Sequence, residues 1–313
     1  MDYLIFVLSL GALIWGADML VAQSERIALR FNISEYVIGA TLIALGTSLP
    51  EMAASIAASL NGKPQIAVSN VIGSNILNIT LVLATVFLLA KKIDPHRDFF
   101  AKDSSWALFP VLIFAVMALE GKFDRFDGIL LLSLMGAYLL FLKNSASDVL
   151  ELEEEEIREI TKSSFSWPQV GLRLFLGLLF VIVGAEFTIE SASSIAKSLG
   201  VSEWIIGIVM ISLGTSMPEL IVSIVAALKG KADMAIGNII GSNMANITVV
   251  LGSAAVVNDL QLDMNRYLFD IGTMIAATLM LVFLTANRMY TKPAGISLLI
   301  LLGLFLKHTL ASL

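Results

Sequence analysis

The chain has 313 residues, 57% hydrophobic and 15% charged, with a mean hydropathy of +0.86; a soluble domain carries about 25% charged residues, so this composition belongs to a polytopic membrane protein. It has no cysteine and only two histidines, His96 and His308, both near expected span ends, which excludes disulfides, thiolate metal sites, cysteine nucleophiles and a His-built zinc site. The net charge of −6 comes mostly from one acidic loop, and no nucleic-acid partner is expected.

Apolar runs of about twenty residues mark ten expected spans, near 3–24, 34–60, 66–90, 105–120, 126–142, 168–196, 202–228, 234–257, 267–286 and 294–311. The first run follows Asp2 rather than a basic region and has no clean small-residue cleavage site, so it reads as a span and not a signal peptide. The third and eighth runs carry polar interruptions, and the fourth is short. Between the fifth and sixth lies "KNSASDVLELEEEEIREITKSSFSW", 143–167. It reads as an acidic, solvated, cytoplasmic linker, too short to hold a folded domain. With the N-terminus placed outside, 14 of the 20 Lys and Arg residues fall on the inner side, so both termini are expected outside.

The chain repeats itself. Gly46 and Gly214 are 168 positions apart, as are Gly73 and Gly241, and the register holds without a gap from 16 to 83. "GAD" at 16–18 matches "GAE" at 184–186, and "SEYVIG" at 34–39 matches "SEWIIG" at 202–207. Five expected spans per copy is an odd number, so the second copy enters the membrane from the opposite side. The expected fold is an all-α polytopic membrane protein of ten transmembrane helices in two inverted five-helix repeats, 1–142 and 168–313. Broken helices 2, 3, 7 and 8 form a midplane site, a plan typical of secondary transporters.

Two polar clusters recur inside these spans. "GTSLPE" at 46–51 matches "GTSMPE" at 214–219, and "NVIGSNILNIT" at 70–80 matches "NIIGSNMANIT" at 238–248. Pro50 and Pro218 each remove a backbone donor, so carbonyls at 44–47 and 212–215 should lose helical partners, which is costly in lipid unless an ion or water satisfies them. Thr47, Ser48, Thr215 and Ser216 add hydroxyls on the same turns, and Glu51 and Glu219 follow on the same faces. An intramembrane carboxylate is a functional residue by default, and two at matched positions beside helix breaks argue against a packing role. Asn78 and Asn246 add amide oxygens. Gly39, Gly73, Gly207 and Gly241 read equally as packing residues. Asp18 and Glu186 sit nearer span ends and read as vestibule charges, while Met210, Met217, Met234 and Met244 read as apolar filling. The inventory is all hard oxygen. It suits Ca²⁺, which takes six to eight such ligands, or Na⁺ if divided among sites; copper and zinc are poor candidates.

These paired motifs resemble the α1 and α2 repeats of the cation/calcium exchanger superfamily, in its prokaryotic sodium/calcium exchanger branch, over essentially the whole chain. The resemblance implies alternating-access exchange of Na⁺ for Ca²⁺, usually three for one, at four midplane cation sites. Glu51 and Glu219 would be shared central ligands. Thr47, Ser48 and Ser74 with the Ala44 carbonyl would form one Na⁺ site, and Thr215, Ser216 and Ser242 with the Ser212 carbonyl its inverted counterpart. The Thr47 and Thr215 carbonyls would complete the Ca²⁺ shell, and Asn78 and Asn246 would line the middle position. Spans one and six would be sliding gate helices. Some members have aspartate at the position of Asn246; asparagine here leaves two site carboxylates and argues against potassium dependence.

Proton-coupled relatives share the glutamates, so a Ca²⁺/H⁺ antiporter is the alternative; the hydroxyl runs favour Na⁺. A cation channel is the weaker reading, because fast conduction needs weak sites. An enzyme is not expected: there is no H-E-x-x-H motif, no cysteine and no histidine near Ser48 or Ser216. No cofactor is expected beyond the transported ions. The expected location is a prokaryotic inner membrane, and a monomer is compatible with the sequence.

Overall fold

The computed structural model describes residues 1–90, 93, 95–145, 165–201 and 214–311. In lipid every backbone donor and acceptor must be satisfied within the segment, and the apolar runs accordingly form helices. In chain order they are α1 (Asp2–Phe31), α2 (Glu35–Thr47), α3 (Leu49–Leu60), α4 (Pro64–Leu89), α5 (Phe99–Ala118), α6 (Arg125–Asn144), α7 (Trp167–Ser198), α8 (Met217–Leu228), α9 (Ala232–Val257), α10 (Met264–Ala286) and α11 (Lys292–Ala311). Eight of these are long and apolar enough to cross a membrane, and α2 with α3, bent by 44°, makes a ninth candidate. The remaining short apolar helix, α8, is the second half of the expected span 202–228. The first half of that span, with Gly207, Met210 and Ser212, lies outside the described residues, as does most of the acidic linker.

Two expectations are corrected. The fourth span begins at Phe99 rather than near 105, because Asp98 caps it, accepting from the Ala101 N–H at 3.0 Å, and because its polar Asp103 is paired and buried. Spans three and eight are not broken: α4 and α9 are each continuous over 26 residues. No proline interrupts them, and their polar clusters open into π-helical turns at Asn78–Leu83 and Asn246–Val250 instead. There Thr80 and Thr248 back-bond to the carbonyls four residues earlier, at 2.7 and 2.6 Å. Among the described residues, the fold is all-helical apart from one short strand pairing. A two-residue strand β1 (Lys122–Phe123) pairs antiparallel with β2 (Leu260–Gln261), tying the α5–α6 turn to the α9–α10 loop.

Among the eight long helices described, α4 and α9 are the most buried, with 78% and 83% of their apolar stretches buried against 28–44% for the other six. Glycines set the closest crossings. α2 lies backbone to backbone on α9, where a Cβ added at Gly237 would meet the Tyr36 carbonyl at 2.5 Å and one at Gly241 the Ala40 carbonyl at 2.5 Å. α1 and α7 cross in the same way at Gly16, Gly177 and Gly184. A Cβ at Gly39 would also strike α9, whereas Gly73 has no described atom within 4 Å of its Cβ position. Met234 and Met244 are fully buried in the apolar core, and Met217 packs against it.

Candidate cation-binding site

The site is built on two helix starts facing two helix middles. Ser48 (φ −83°, ψ 6°) and Ser216 (φ −85°, ψ 1°) turn the chain into α3 and α8, each with proline in its first turn followed by Glu51 or Glu219. Proline is tolerated there because first-turn N–H groups have no intrahelical acceptor, and a carboxylate in the first turn faces the positive end of the helix dipole. Both carboxylates are buried, Glu51 1% and Glu219 0% exposed, and they lie within electrostatic range of one another.

Cross-links join the two motif sets. Ser48 Oγ donates to Glu219 Oε1 at 3.1 Å. Thr47 Oγ1 donates to Asn238 Oδ1 at 3.5 Å, and Thr215 Oγ1 to Asn70 Oδ1 at 3.3 Å. Asn78 Nδ2 donates to Asn243 Oδ1 at 3.0 Å, across from α4 to α9. Ser74, Ser242, Asn78 and Asn246 are buried on the same two helices. Of the residues read as ligands from sequence, only Ser212 lies outside the described residues. The Ala44 carbonyl is not freed as expected: it accepts the Ser48 N–H at 3.0 Å and Thr47 Oγ1 at 3.3 Å. The Ser48 N–H keeps its helical bond, and the missing Pro50 N–H falls opposite Gly46 instead. Asp18 stays outside the site, half-exposed and paired with Lys229 at 2.5 Å, and Glu186 is exposed.

Three residue pairs were not singled out by the sequence reading. Asn70 and Asn238 anchor the threonines just named and are themselves held through Nδ2 by Ser55 at 2.9 Å and Ser223 at 3.0 Å. Asn75 and Asn243 lie between the central helices. All three pairs keep the spacing of 168, which was the available signal.

The chemistry of the cluster follows from what it lacks. Nearly all buried side-chain polar atoms without a hydrogen-bond partner among the described residues are here: both Glu51 oxygens, Glu219 Oε2, Ser216 Oγ, Ser242 Oγ, Asn75 Oδ1, Asn78 Oδ1 and both amide atoms of Asn246; Ser24 Oγ is the exception. Apart from the Asn246 nitrogen, all can offer an oxygen. No group of three or more acidic or imidazole side chains forms a metal-holding cluster among the described residues, so two carboxylates and neutral oxygens make up the donor set. Such a set fits a hard cation and no soft one.

Comparison with known proteins shows the family. A family model described as sodium/calcium exchanger protein matches residues 1–143 and 170–310. The chain belongs to the sodium/calcium exchanger family. Within this family, the chain is 30% identical over 343 residues, 97% of each chain, to the sodium/calcium exchanger MaX1 of Methanosarcina acetivorans. It is 40% identical over 243 residues, 77% of each chain, to the uncharacterized membrane protein MJ0091 of Methanocaldococcus jannaschii. The exchanger NCX_Mj, in a structure soaked with 2.5 mM Na⁺ and 0.1 mM Sr²⁺, superposes with a TM-score of 0.81 at 32% identity over 100% of both chains. The two exchanger-family blocks each carry one half of the oxygen cluster, and the unmatched stretch between them, 144–169, spans nearly all of the acidic segment.

Proposed function

We propose that this chain is a secondary antiporter that exchanges Na⁺ for Ca²⁺ by alternating access, three Na⁺ for one Ca²⁺, with Ca²⁺ extruded when the Na⁺ gradient points inward. The observation that carries the reading is the set of buried, partnerless oxygens around Glu51 and Glu219. Burying an unpaired carboxylate costs several kcal/mol, and a bound cation offsets that cost for both at once. Two carboxylates balance one Ca²⁺, the Thr47 and Thr215 carbonyls complete its shell, and Asn78 and Asn246 line the middle position. The hydroxyls of Thr47, Ser48 and Ser74, and of Thr215, Ser216 and Ser242, suit Na⁺ sites on either side. The Ala44 carbonyl joins only when Thr47 Oγ1 releases it, which coordination of that hydroxyl to Na⁺ accomplishes; Ser212 takes the matching place.

In this reading the chain has ten spans in two inverted repeats, 1–142 and 168–313, joined by the cytoplasmic linker 143–167, with both termini outside a prokaryotic inner membrane. The spacing of 168 supports it: α3 and α8 are each 12 residues, and the helices that follow them start at 64 and 232. The resemblance to MaX1 and NCX_Mj supports the choice of ions.

The test is uptake of radioactive Ca²⁺ into Na⁺-loaded proteoliposomes diluted into Na⁺-free buffer at fixed pH. Uptake should require internal Na⁺ and vanish in Glu219→Gln. One net positive charge leaves per Ca²⁺ entering, so an inside-positive potential should accelerate it, with about 2.3 kcal/mol available per 100 mV. Uptake indifferent to Na⁺ but driven by a pH gradient assigns Ca²⁺/H⁺ antiport instead, and flux needing no counter-ion assigns a channel.

A further inference from the structure

The hydrogen bonds around the cation site divide into two sets. One obeys the repeat. Asn70 to Ser55 and Asn238 to Ser223 measure 2.9 and 3.0 Å, and Thr47 to Asn238 and Thr215 to Asn70 measure 3.5 and 3.3 Å. The other set is made on one side only. Ser48 donates to Glu219 at 3.1 Å, while among the described residues Ser216 Oγ and both Glu51 oxygens have no hydrogen-bond partner. Asn78 Nδ2 donates to Asn243 Oδ1 at 3.0 Å, and Asn243 Nδ2 donates to the Asn75 carbonyl at 3.3 Å. Shifted by 168, these bonds become Asn246 Nδ2 to Asn75 Oδ1 and Asn75 Nδ2 to the Asn243 carbonyl. Neither is present: Asn75 Nδ2 turns back onto the Val71 carbonyl at 2.7 Å, and Asn75 Oδ1 and Asn246 Nδ2 are buried without partners.

The groups left over are those the mirrored set requires. We infer that Asn75, Asn78, Asn243 and Asn246 form a two-position amide switch between α4 and α9, with Asn75 and Asn243 as positioning residues that decide which of Asn78 and Asn246 is held for the cation. The inference rests on the exchanger reading of the site. In the observed setting Asn243 occupies the Asn78 nitrogen and leaves Asn78 Oδ1, buried and partnerless, to accept a cation. In the mirrored setting Asn75 does the same for Asn246, and Asn243 turns back onto the Ile239 carbonyl as Asn75 now does onto Val71. Each setting contains three amide bonds, so exchange between them conserves the count. A transporter that must visit two states in turn needs settings close in free energy, and packed interiors supply discrete alternatives rather than continuous deformation. Asparagine suits the task because one side chain both donates and accepts: Asn243 accepts from Asn78 and donates to Asn75.

The test is a double-mutant cycle on the full chain in proteoliposomes, using Asn75→Ala, Asn243→Ala and the double variant. Turnover of Na⁺-driven Ca²⁺ uptake is read alongside equilibrium Ca²⁺ binding. Asn243→Ala removes two of the three bonds of the observed setting and one of the mirrored setting, and Asn75→Ala the reverse, so each single variant biases the switch by one bond, and turnover should fall about tenfold for that net loss of a buried hydrogen bond. The double variant removes both biases and should recover to within about threefold of wild type. A double variant slower than either single, or single variants at the wild-type rate, overturns the switch. If an alanine variant fails to fold by size-exclusion chromatography, the cycle is run with Asn75→Ser and Asn243→Ser, with the same expectation. The controls separate the two readings. Wild type lacking Na⁺-driven uptake refutes the exchanger, whereas wild type that exchanges while the cycle is additive refutes the switch alone.

Discussion

Gly241→Ala tests whether the backbone crossing of α2 on α9 positions the site. A Cβ at Gly241 would stand 2.5 Å from the Ala40 oxygen, 2.6 Å from its Cα and 2.8 Å from its carbonyl carbon, where ordinary contact begins at 3.4 Å, so the helices must part by about 0.9 Å. The opposing atoms are backbone, and no flexible side chain can yield. Overpacking of this kind costs about 1–3 kcal/mol, which outweighs the gain of up to about 1 kcal/mol from replacing a helical glycine with alanine. The displacement matters more than the strain. The Thr47–Asn238 contact is already 3.5 Å and Ser48–Glu219 is 3.1 Å, so parting the helices breaks the first and stretches the second. Misplacing reacting or binding groups by about 1 Å costs on the order of 10²-fold. The initial rate of Na⁺-driven Ca²⁺ uptake at limiting Ca²⁺ should fall by about that factor. Gly136→Ala on α6, with no described atom within 4 Å of its Cβ position, is the control and should leave uptake nearly unchanged. A folded Gly241→Ala protein that exchanges at the wild-type rate would refute the reasoning.

Two further outcomes concern the ends of the helices. Arg97 and Asp103 form a buried bidentate pair, at 2.6 and 3.0 Å, under the Tyr36 ring; Asp103→Asn strands the guanidinium and should lower unfolding stability by about 3–5 kcal/mol, while Arg97→Met with Asp103→Leu should be close to neutral, measured by thermal unfolding in detergent. Lys231 bridges Glu25 at 2.5 Å and Glu35 at 2.9 Å, joining the starts of α2 and α9 to the α1 end. Burial draws its pKa down, but the Glu25 hydrogen bond and the Glu35 charge outweigh it and hold the value above the ordinary 10.5. Because the folded value is the raised one, the stabilisation is complete below pH 10.5 and is lost as pH rises through the folded pKa. The Tm gap between wild type and Lys231→Met should therefore hold constant near neutrality and narrow only above pH 10.5.

Glu51 and Glu219 were legible in the sequence because a carboxylate beside proline in an apolar run has few structural explanations, and because the spacing of 168 states each motif twice. Asn70, Ser55, Asn75 and their mates keep the same spacing but were not singled out, because their roles depend on which helices cross, and the glycine contacts of α2 with α9 reveal that. The start of α5 was obscured because hydropathy counts Asp103 as polar, although Arg97, six residues earlier, neutralises it. The π-helical turns at Asn78 and Asn246 add a residue to the turn without interrupting the helix, so a polar interruption read as a break was a continuous helix. A pair of two-residue strands leaves no periodicity to detect.

The central claim is that the partnerless oxygens around Glu51 and Glu219 form one cation cage. Equilibrium Ca²⁺ binding to the purified protein, with Na⁺ as competitor, tests it most directly. The account predicts saturable binding that Na⁺ displaces and that either Glu51→Gln or Glu219→Gln abolishes. Ca²⁺ binding of wild-type affinity in both variants would contradict it.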